Sequence, residues 1–376
     1  MKLAVIGGAA GSGGYQRYIN GIFGRGNVPP SMDITIFCTS DLVDKLVDID
    51  ERIELCVREE FRQSAFSFCF KRLPASCIAA VKALNPDVVL FANGFIQRGL
   101  EAYPAVATFH NLLMMDLKAV WSNGLSKATV LWAVLAMKQR ATFRMAAGVV
   151  FLSPYSRETA LKKVPGIKKS VIIAHGLDDR FRAASPKTKH IEKTAKILYL
   201  STLYGYKHQI EVVGAVHQLH QRTGMPVFLS LVGGGDSKYT AKLKSEISRL
   251  NAGEYTELVG DVSHEKLPEM IDDADIFLYA SSCETFGITL LEGMGRGAVI
   301  ASSSLTGLPD LLRDGGEYFD PRNPASISEA LERLITSPSL CEQYASRAHG
   351  YSQEYTWARS AAKTFEFVRE LAGGLQ

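Results

Sequence analysis

Cysteine is scarce and scattered in this sequence. Its six cysteines (Cys38, Cys56, Cys69, Cys77, Cys283 and Cys341) form no Cys-x-x-Cys pair and do not cluster with histidine. That excludes the usual sequence patterns of a disulfide framework or a zinc site and suggests buried thiols in a reducing compartment. Charge of neither sign dominates. The 42 basic and 39 acidic residues leave a formal net charge of +3, too balanced for nucleic acid to be a main partner. Long apolar runs are missing as well. The first, residues 3–6, stops at Gly7, short of what a signal peptide needs. The longest elsewhere, residues 130–137, is far below the roughly 20 residues that span a bilayer. A cytoplasmic protein is expected.

What is present is an ordinary globular composition, 47% apolar and 22% charged over 376 residues, enough for two domains with proper cores. Apolar runs at 3–6, 34–37, 88–91, 149–152 and 171–174 read as buried strands. Longer helical patterns, such as 75–84 and 125–145, lie between them. A polar, lysine-rich segment at 184–196 looks like a linker. Beyond it the alternation restarts, with strands at 197–200, 227–232, 276–279 and 298–302. Helices follow at 209–221, 239–250, 267–271, 288–296 and 326–335, and a last one at about 357–371. Strands alternating with helices imply parallel sheets. The expected architecture is α/β, two facing doubly wound Rossmann-like domains with a cleft between the carboxyl ends of their strands, where such sheets bind ligands. The domains are placed at 1–183 and 184–354, with the terminal helix at 355–376 packing back on the first.

The segment most suggestive of chemistry runs from Ala280 to Gly293, Ala-Ser-Ser-Cys-Glu-Thr-Phe-Gly-Ile-Thr-Leu-Leu-Glu-Gly. A strand ends, a small polar turn follows, and a helix starts near Gly287. A helix start offers unpaired N–H groups and partial positive charge, a natural seat for a diphosphate. Glu284 precedes the helix and Glu292 lies more than a turn inside it. Two carboxylates so placed can flank a ligand and accept paired hydrogen bonds from vicinal hydroxyls. A plainer reading is also open, in which Glu284 caps the helix and Glu292 is a solvated surface residue.

The arrangement Glu-Thr-Phe-Gly-Ile-x-x-x-Glu resembles the E-x7-E motif of family 4 glycosyltransferases, which have the GT-B fold. Further segments are similar to that family: Leu231-Val232-Gly233-Gly234-Gly235, Val259-Gly260, Ala274-Asp275-Ile276, residues 302–310 around Leu308-Pro309-Asp310, and Gly315–Pro321. Ile173–Asp178 resembles the element that closes the family's first domain. The resemblance covers the C-terminal half nearly end to end and the first half in patches. It implies a donor site of Gly13, Gly14, Thr202, Lys207, Glu284, Phe286, Gly287, Ile288 and Glu292. Glu292 would take the ribose hydroxyls, Glu284 the transferred sugar, and Lys207 the diphosphate. It implies catalytic roles for His110, Lys207 and Glu284. One departure stands out. Thr202 occupies the place where many members carry a second diphosphate cation, an arginine, and Arg17 or Arg313 could substitute.

The resemblance implies a retaining hexosyltransferase that uses a nucleoside-diphosphate sugar, with a saccharide acceptor, free or lipid-linked, in cell-envelope polysaccharide or O-antigen synthesis. No cofactor and no metal are expected. Basic, apolar stretches at 61–72 and 125–145 would suit peripheral contact with the inner face of the cytoplasmic membrane. Two other readings are open. One is a GT-B NDP-sugar 2-epimerase, which needs no acceptor. The other is an NAD- or nucleotide-binding protein built on the glycine-rich turn at 7–14.

Overall fold

The computed structural model describes residues 1–8, 13–62, 73–116, 127–186, 191 and 193–374. Parts of four expectations lie outside them. These are the middle of the glycine-rich turn (9–12), most of the aromatic stretch at 61–72, the first two residues of the 125–145 helix, and the lysine-rich part of the linker.

The chain divides into two compact units, Met1–Gly176 with Thr356–Gln376, and Leu177–Tyr355. The boundary therefore falls before the 183/184 position read from composition. The reason is local bonding: the Leu177 N–H donates to the Tyr355 carbonyl and the Ala183 N–H to that of Gly295, both inside the second unit.

The first unit holds a sheet of seven parallel strands: β1 (Lys2–Gly8), β2 (Asp33–Cys38), β3 (Glu54–Val57), β4 (Val88–Phe91), β5 (Ala105–Thr108), β6 (Gly148–Phe151) and β7 (Lys169–Ile172). Their order is β3-β2-β1-β4-β5-β6-β7. Every residue of β4 is fully buried, as expected of a parallel strand covered on both faces. The terminal helix Trp357–Gly373 completes this core with Phe365, Val368 and Leu371. Phe365 meets Phe23 with ring centroids 6.0 Å apart, and the Ser360 hydroxyl donates to the Ala174 carbonyl.

The second unit has six parallel strands: β8 (Ala195–Leu200), β9 (Val227–Val232), β10 (Thr256–Gly260), β11 (Ile276–Tyr279), β12 (Val299–Ser303) and β13 (Glu317–Phe319). Their order is β10-β9-β8-β11-β12-β13. β8 and β11 are neighbours in register, Ile197 opposite Ile276 and Leu198 opposite Phe277. Sequence order reverses between these two strands, the switch point outside whose carboxyl ends such sheets bind ligands.

Three strands carry too little apolar pattern to be read locally. β3 (Glu-Leu-Cys-Val) and β13 (Glu-Tyr-Phe) are short, and β10 starts with Thr-Glu. All three lie at sheet edges, where burial on both faces is not required. The helix Pro338–Ser352 was also missed, because its Ser, His, Tyr and Gly residues dilute the helical period. Among the described residues no helix is long and apolar enough to cross a membrane.

Candidate nucleotide-sugar site

The site assembles at the reversal between β8 and β11. From β8 the chain passes Ser201 and Thr202 into a short turn, Gly205–Lys207. His208 takes a left-handed conformation (φ 54°), and the helix Gln209–Thr223 begins. The Tyr199 hydroxyl donates to the Lys207 carbonyl at 2.6 Å, tying the turn back to its own strand. From β11 the chain passes through Ser281 and Cys283 to Glu284, and the Ser282 N–H donates to the Tyr206 carbonyl at 2.9 Å. The two loops are thus bonded to each other through their backbones.

Lys207 is 7% exposed. Its ammonium donates to Glu284 Oε1 and, at 3.3 Å, to the Tyr279 hydroxyl. It also lies over the rings of Tyr206 and Tyr279, 5.4 and 5.2 Å from their centroids, an arrangement that favours a cation. The Tyr279 hydroxyl donates in turn to Glu284 Oε1 at 2.9 Å. Burial, reinforced by the Glu284 charge, holds the Tyr279 phenol well above its ordinary pKa, so it stays protonated and able to donate. A buried cation is expensive unless paired and hydrogen-bonded, and this triangle meets that requirement.

Next to it the helix Ile288–Gly295 begins at Gly287, whose φ is 98°. A Cβ there would also approach Leu308 Cδ2 to 2.6 Å. Glycine therefore answers two demands at once, a left-handed backbone and close packing. The N–H groups of the first turn have no acceptor within the helix. Glu292 is 2% exposed and accepts from His264 Nε2 at 3.1 Å. The reading of Glu292 as a solvated surface residue is therefore wrong, because its helix face turns inward.

The remaining donor-site expectations divide. The Thr202 carbonyl accepts from the Gln209 amide at 2.9 Å. Ile288 is half-buried. Phe286 is 4% exposed and packs on Tyr355, ring centroids 5.7 Å apart, so only its backbone is available to a ligand. Arg313 does not replace the missing arginine. Its guanidinium makes paired bonds of 2.8 and 2.7 Å to both Glu354 oxygens and lies over the Tyr351 ring.

Gly13, Gly14 and Arg17 belong to the first unit, on the helix Gly13–Ile22 that follows β1. His110, just after β5, places Nε2 2.9 Å from the Ala92 carbonyl. It meets Tyr18 edge-on and stacks on His175, at centroid distances of 5.0 and 6.0 Å. Burial lowers its pKa to about 4. The neutral ring must then carry its proton on Nε2, since a carbonyl only accepts, leaving Nδ1 as an acceptor.

Three side chains escaped the sequence reading: Tyr279 and His264, which meet Glu284 and Glu292, and Arg180, whose Nη1 lies 3.4 Å from His264 Nδ1. A tyrosine ending an apolar strand reads as core, and a lone histidine or arginine in a loop carries no signal. A depression of about 580 Å³ also exists in the second unit, lined by Lys196, Phe228, Glu257, Met270 and Asp273 among others. It opens at the amino ends of the strands and includes none of the site residues. Among the described residues no three His, Cys, Asp or Glu side chains are gathered to hold a metal ion.

Two parallel doubly wound units with these strand orders define the GT-B glycosyltransferase fold. The chain superposes on sucrose-phosphate synthase from Thermosynechococcus elongatus with a TM-score of 0.76 at 16% identity, covering 100% of both chains. It superposes on Anabaena HepE in complex with UDP and glucose with a TM-score of 0.71 at 18% identity, covering 98% of this chain and 99% of that one. At such identities the likeness establishes the fold. Residues 181–350, inside the second unit, match the family model described as glycosyl transferases group 1. The O-antigen chain mannosyltransferase B of Escherichia coli is 27% identical over 176 residues, 46% of this chain and 45% of that protein. The chain spans between 30% and 56% of the length of other curated relatives it matches. The resemblance read from the motifs holds at the level of GT-B glycosyltransferases.

Proposed function

We propose that this chain is a retaining, family 4 glycosyltransferase that moves a hexose from a nucleoside-diphosphate sugar to a saccharide acceptor, free or lipid-linked, in cell-envelope polysaccharide synthesis. The observation that carries the reading is the joining of Lys207, Glu284 and Tyr279 beside the Gly287 helix start, at the reversal between β8 and β11. A cation and a row of N–H groups suit a departing diphosphate, and adjacent carboxylates suit the hydroxyls of a sugar and a ribose. The O-antigen mannosyltransferase named above and the UDP and glucose held by HepE support the substrate class.

In this reading the diphosphate enters beside Lys207 and shares its ammonium with Glu284. That contact and the Gly287 helix start stabilise the leaving group. The departing diphosphate then assists deprotonation of the acceptor on the same face, so no protein nucleophile is needed. Catalysis is positioning and charge stabilisation. His110, as a neutral imidazole, is assigned to the transferred sugar, and Gly13 and Gly14 to the donor. The reaction calls for no metal or other cofactor. Peripheral contact with the inner face of the cytoplasmic membrane is part of the proposal. Supporting it, the helix Lys127–Met145 exposes Val130 and Met137 on a face shared with Arg144.

A thermal-shift panel of UDP, GDP, ADP and TDP and their hexose conjugates tests the donor class. Lys207→Ala and Glu284→Ala should each lower transfer by on the order of 100-fold, and near-normal transfer in both would overturn the assignment. Incubating the protein with the sugar nucleotide alone should leave the sugar unisomerised.

A further inference from the structure

Glu292 is a buried carboxylate whose orientation is governed by a chain of contacts across the second unit. Its Oε1 faces His264 Nε2 at 3.1 Å. The other ring nitrogen, Nδ1, lies 3.4 Å from Arg180 Nη1. A guanidinium can only donate, so Nδ1 must present its lone pair, which leaves Nε2 as the ring's N–H, aimed at Glu292. Arg180 is anchored in turn. Its Nε donates to Asp178 Oδ1 at 2.9 Å, and its backbone N–H donates to the same oxygen at 3.1 Å. This caps the turn Asp179–Phe181. Phe181 supports the imidazole from the side, ring centroids 5.0 Å apart. The Arg180 carbonyl accepts from Arg296 Nη1 at 3.4 Å, on the residue that ends the helix bearing Glu292.

The sequence brings these groups together from three places: the start of the second unit, the loop after β10, and the helix Ile288–Gly295. A glutamate has three side-chain torsions, and binding a vicinal diol requires both carboxylate oxygens in one orientation. A donor fixed on one oxygen restricts those torsions.

We propose that His264, held in one tautomer by Arg180, is a positioning residue that presents Glu292 to the ribose hydroxyls of a nucleoside diphosphate. The inference rests on the reading of Glu292 as the ribose-binding carboxylate.

The test is isothermal titration of the full chain with UDP and GDP and with their 2′,3′-dideoxy counterparts. The wild-type protein should prefer the ribonucleotide by roughly tenfold or more. His264→Phe should lose that preference while binding the dideoxy form as before. His264→Gln, which keeps an N–H donor, should recover it. Arg180→Leu should lower the preference without changing affinity for the dideoxy form, and it serves as the second variant if His264→Phe does not fold. A preference retained in His264→Phe and Arg180→Leu, or a loss shared equally by both ligand forms, would overturn the proposal. A wild-type protein that does not distinguish the two forms, or binds neither nucleotide, would remove the Glu292 reading itself, and the inference with it.

Discussion

Lys207, Glu284 and Tyr279 act as one group because their protons have a fixed order: the ammonium donates to both oxygen-bearing partners, and the phenol donates to the carboxylate. Tyr279→Phe removes an acceptor for the cation and a donor for the carboxylate while keeping the ring. We expect a loss of about 1 kcal/mol in stability and roughly tenfold in turnover, measured by urea unfolding and steady-state kinetics. Wild-type turnover would show that the hydroxyl is dispensable. In the first unit, His110 accepts a proton only near pH 4, whereas an unfolded histidine does so near 6.5. Between these values the unfolded chain binds more protons, so stability is fully present above about pH 6.5 and falls as pH drops towards 4. The buried His175 is shifted the same way. His110→Asn keeps a donor for the Ala92 carbonyl and should flatten part of the slope of melting temperature against pH. A slope identical to wild type would refute this.

At the scale of elements, two close approaches matter most. Gly287 starts its helix with φ 98° and leaves no room beside Leu308. Gly287→Ala should cost about 1–3 kcal/mol and weaken nucleoside-diphosphate binding, read by thermal melting with and without UDP or GDP. An unchanged melting temperature would refute the strain. At Gly148, which opens β6, a Cβ would lie 2.5 Å from Phe367 of the terminal helix and 2.6 Å from Leu371. That helix places Phe365, Val368 and Leu371 in the core of the first unit. Ending the chain at Tyr355 removes four large buried side chains, Phe365, Phe367, Val368 and Leu371, about 8 kcal/mol together at about 2 kcal/mol each. This is comparable with the whole stability of a domain. Loss of the cooperative melt of the first unit is expected, and a truncated protein that melts like the full chain would refute it.

At the scale of the molecule, both sheets follow one plan, with the first and fourth strands of each unit adjacent and sequence order reversing between them. Nucleotide binding should therefore protect a discontinuous set of amides in the second unit, at 201–208, 281–292 and around 264. Hydrogen exchange with and without UDP or GDP reads this directly. Protection centred instead on Lys196, Glu257 and Asp273 would move the site to the depression at the amino ends of the strands.

Much of this was legible locally. Continuous apolar runs marked β4 and β11 to the residue, because a strand buried on both faces leaves no other composition. The turn before Gly287 and the spacing of Glu284 and Glu292 pointed to a helix start with carboxylates near it. Local sequence could not say which face of that helix turns inward, and so whether Glu292 is solvated or buried. It could not link His264 to Glu292 or Arg180 to His264, since those pairs lie far apart in the chain, nor Tyr279 to nearby Glu284, since a tyrosine ending an apolar strand has an ordinary core role by itself. Nor could it show that Arg313 is committed to Glu354. The sequence by itself determined the two α/β units and the segments that carry the chemistry, through periodicity and turn residues. Only the tertiary structure decided which charges meet, because a charge buried in a fold needs partners that arrive from elsewhere in the chain.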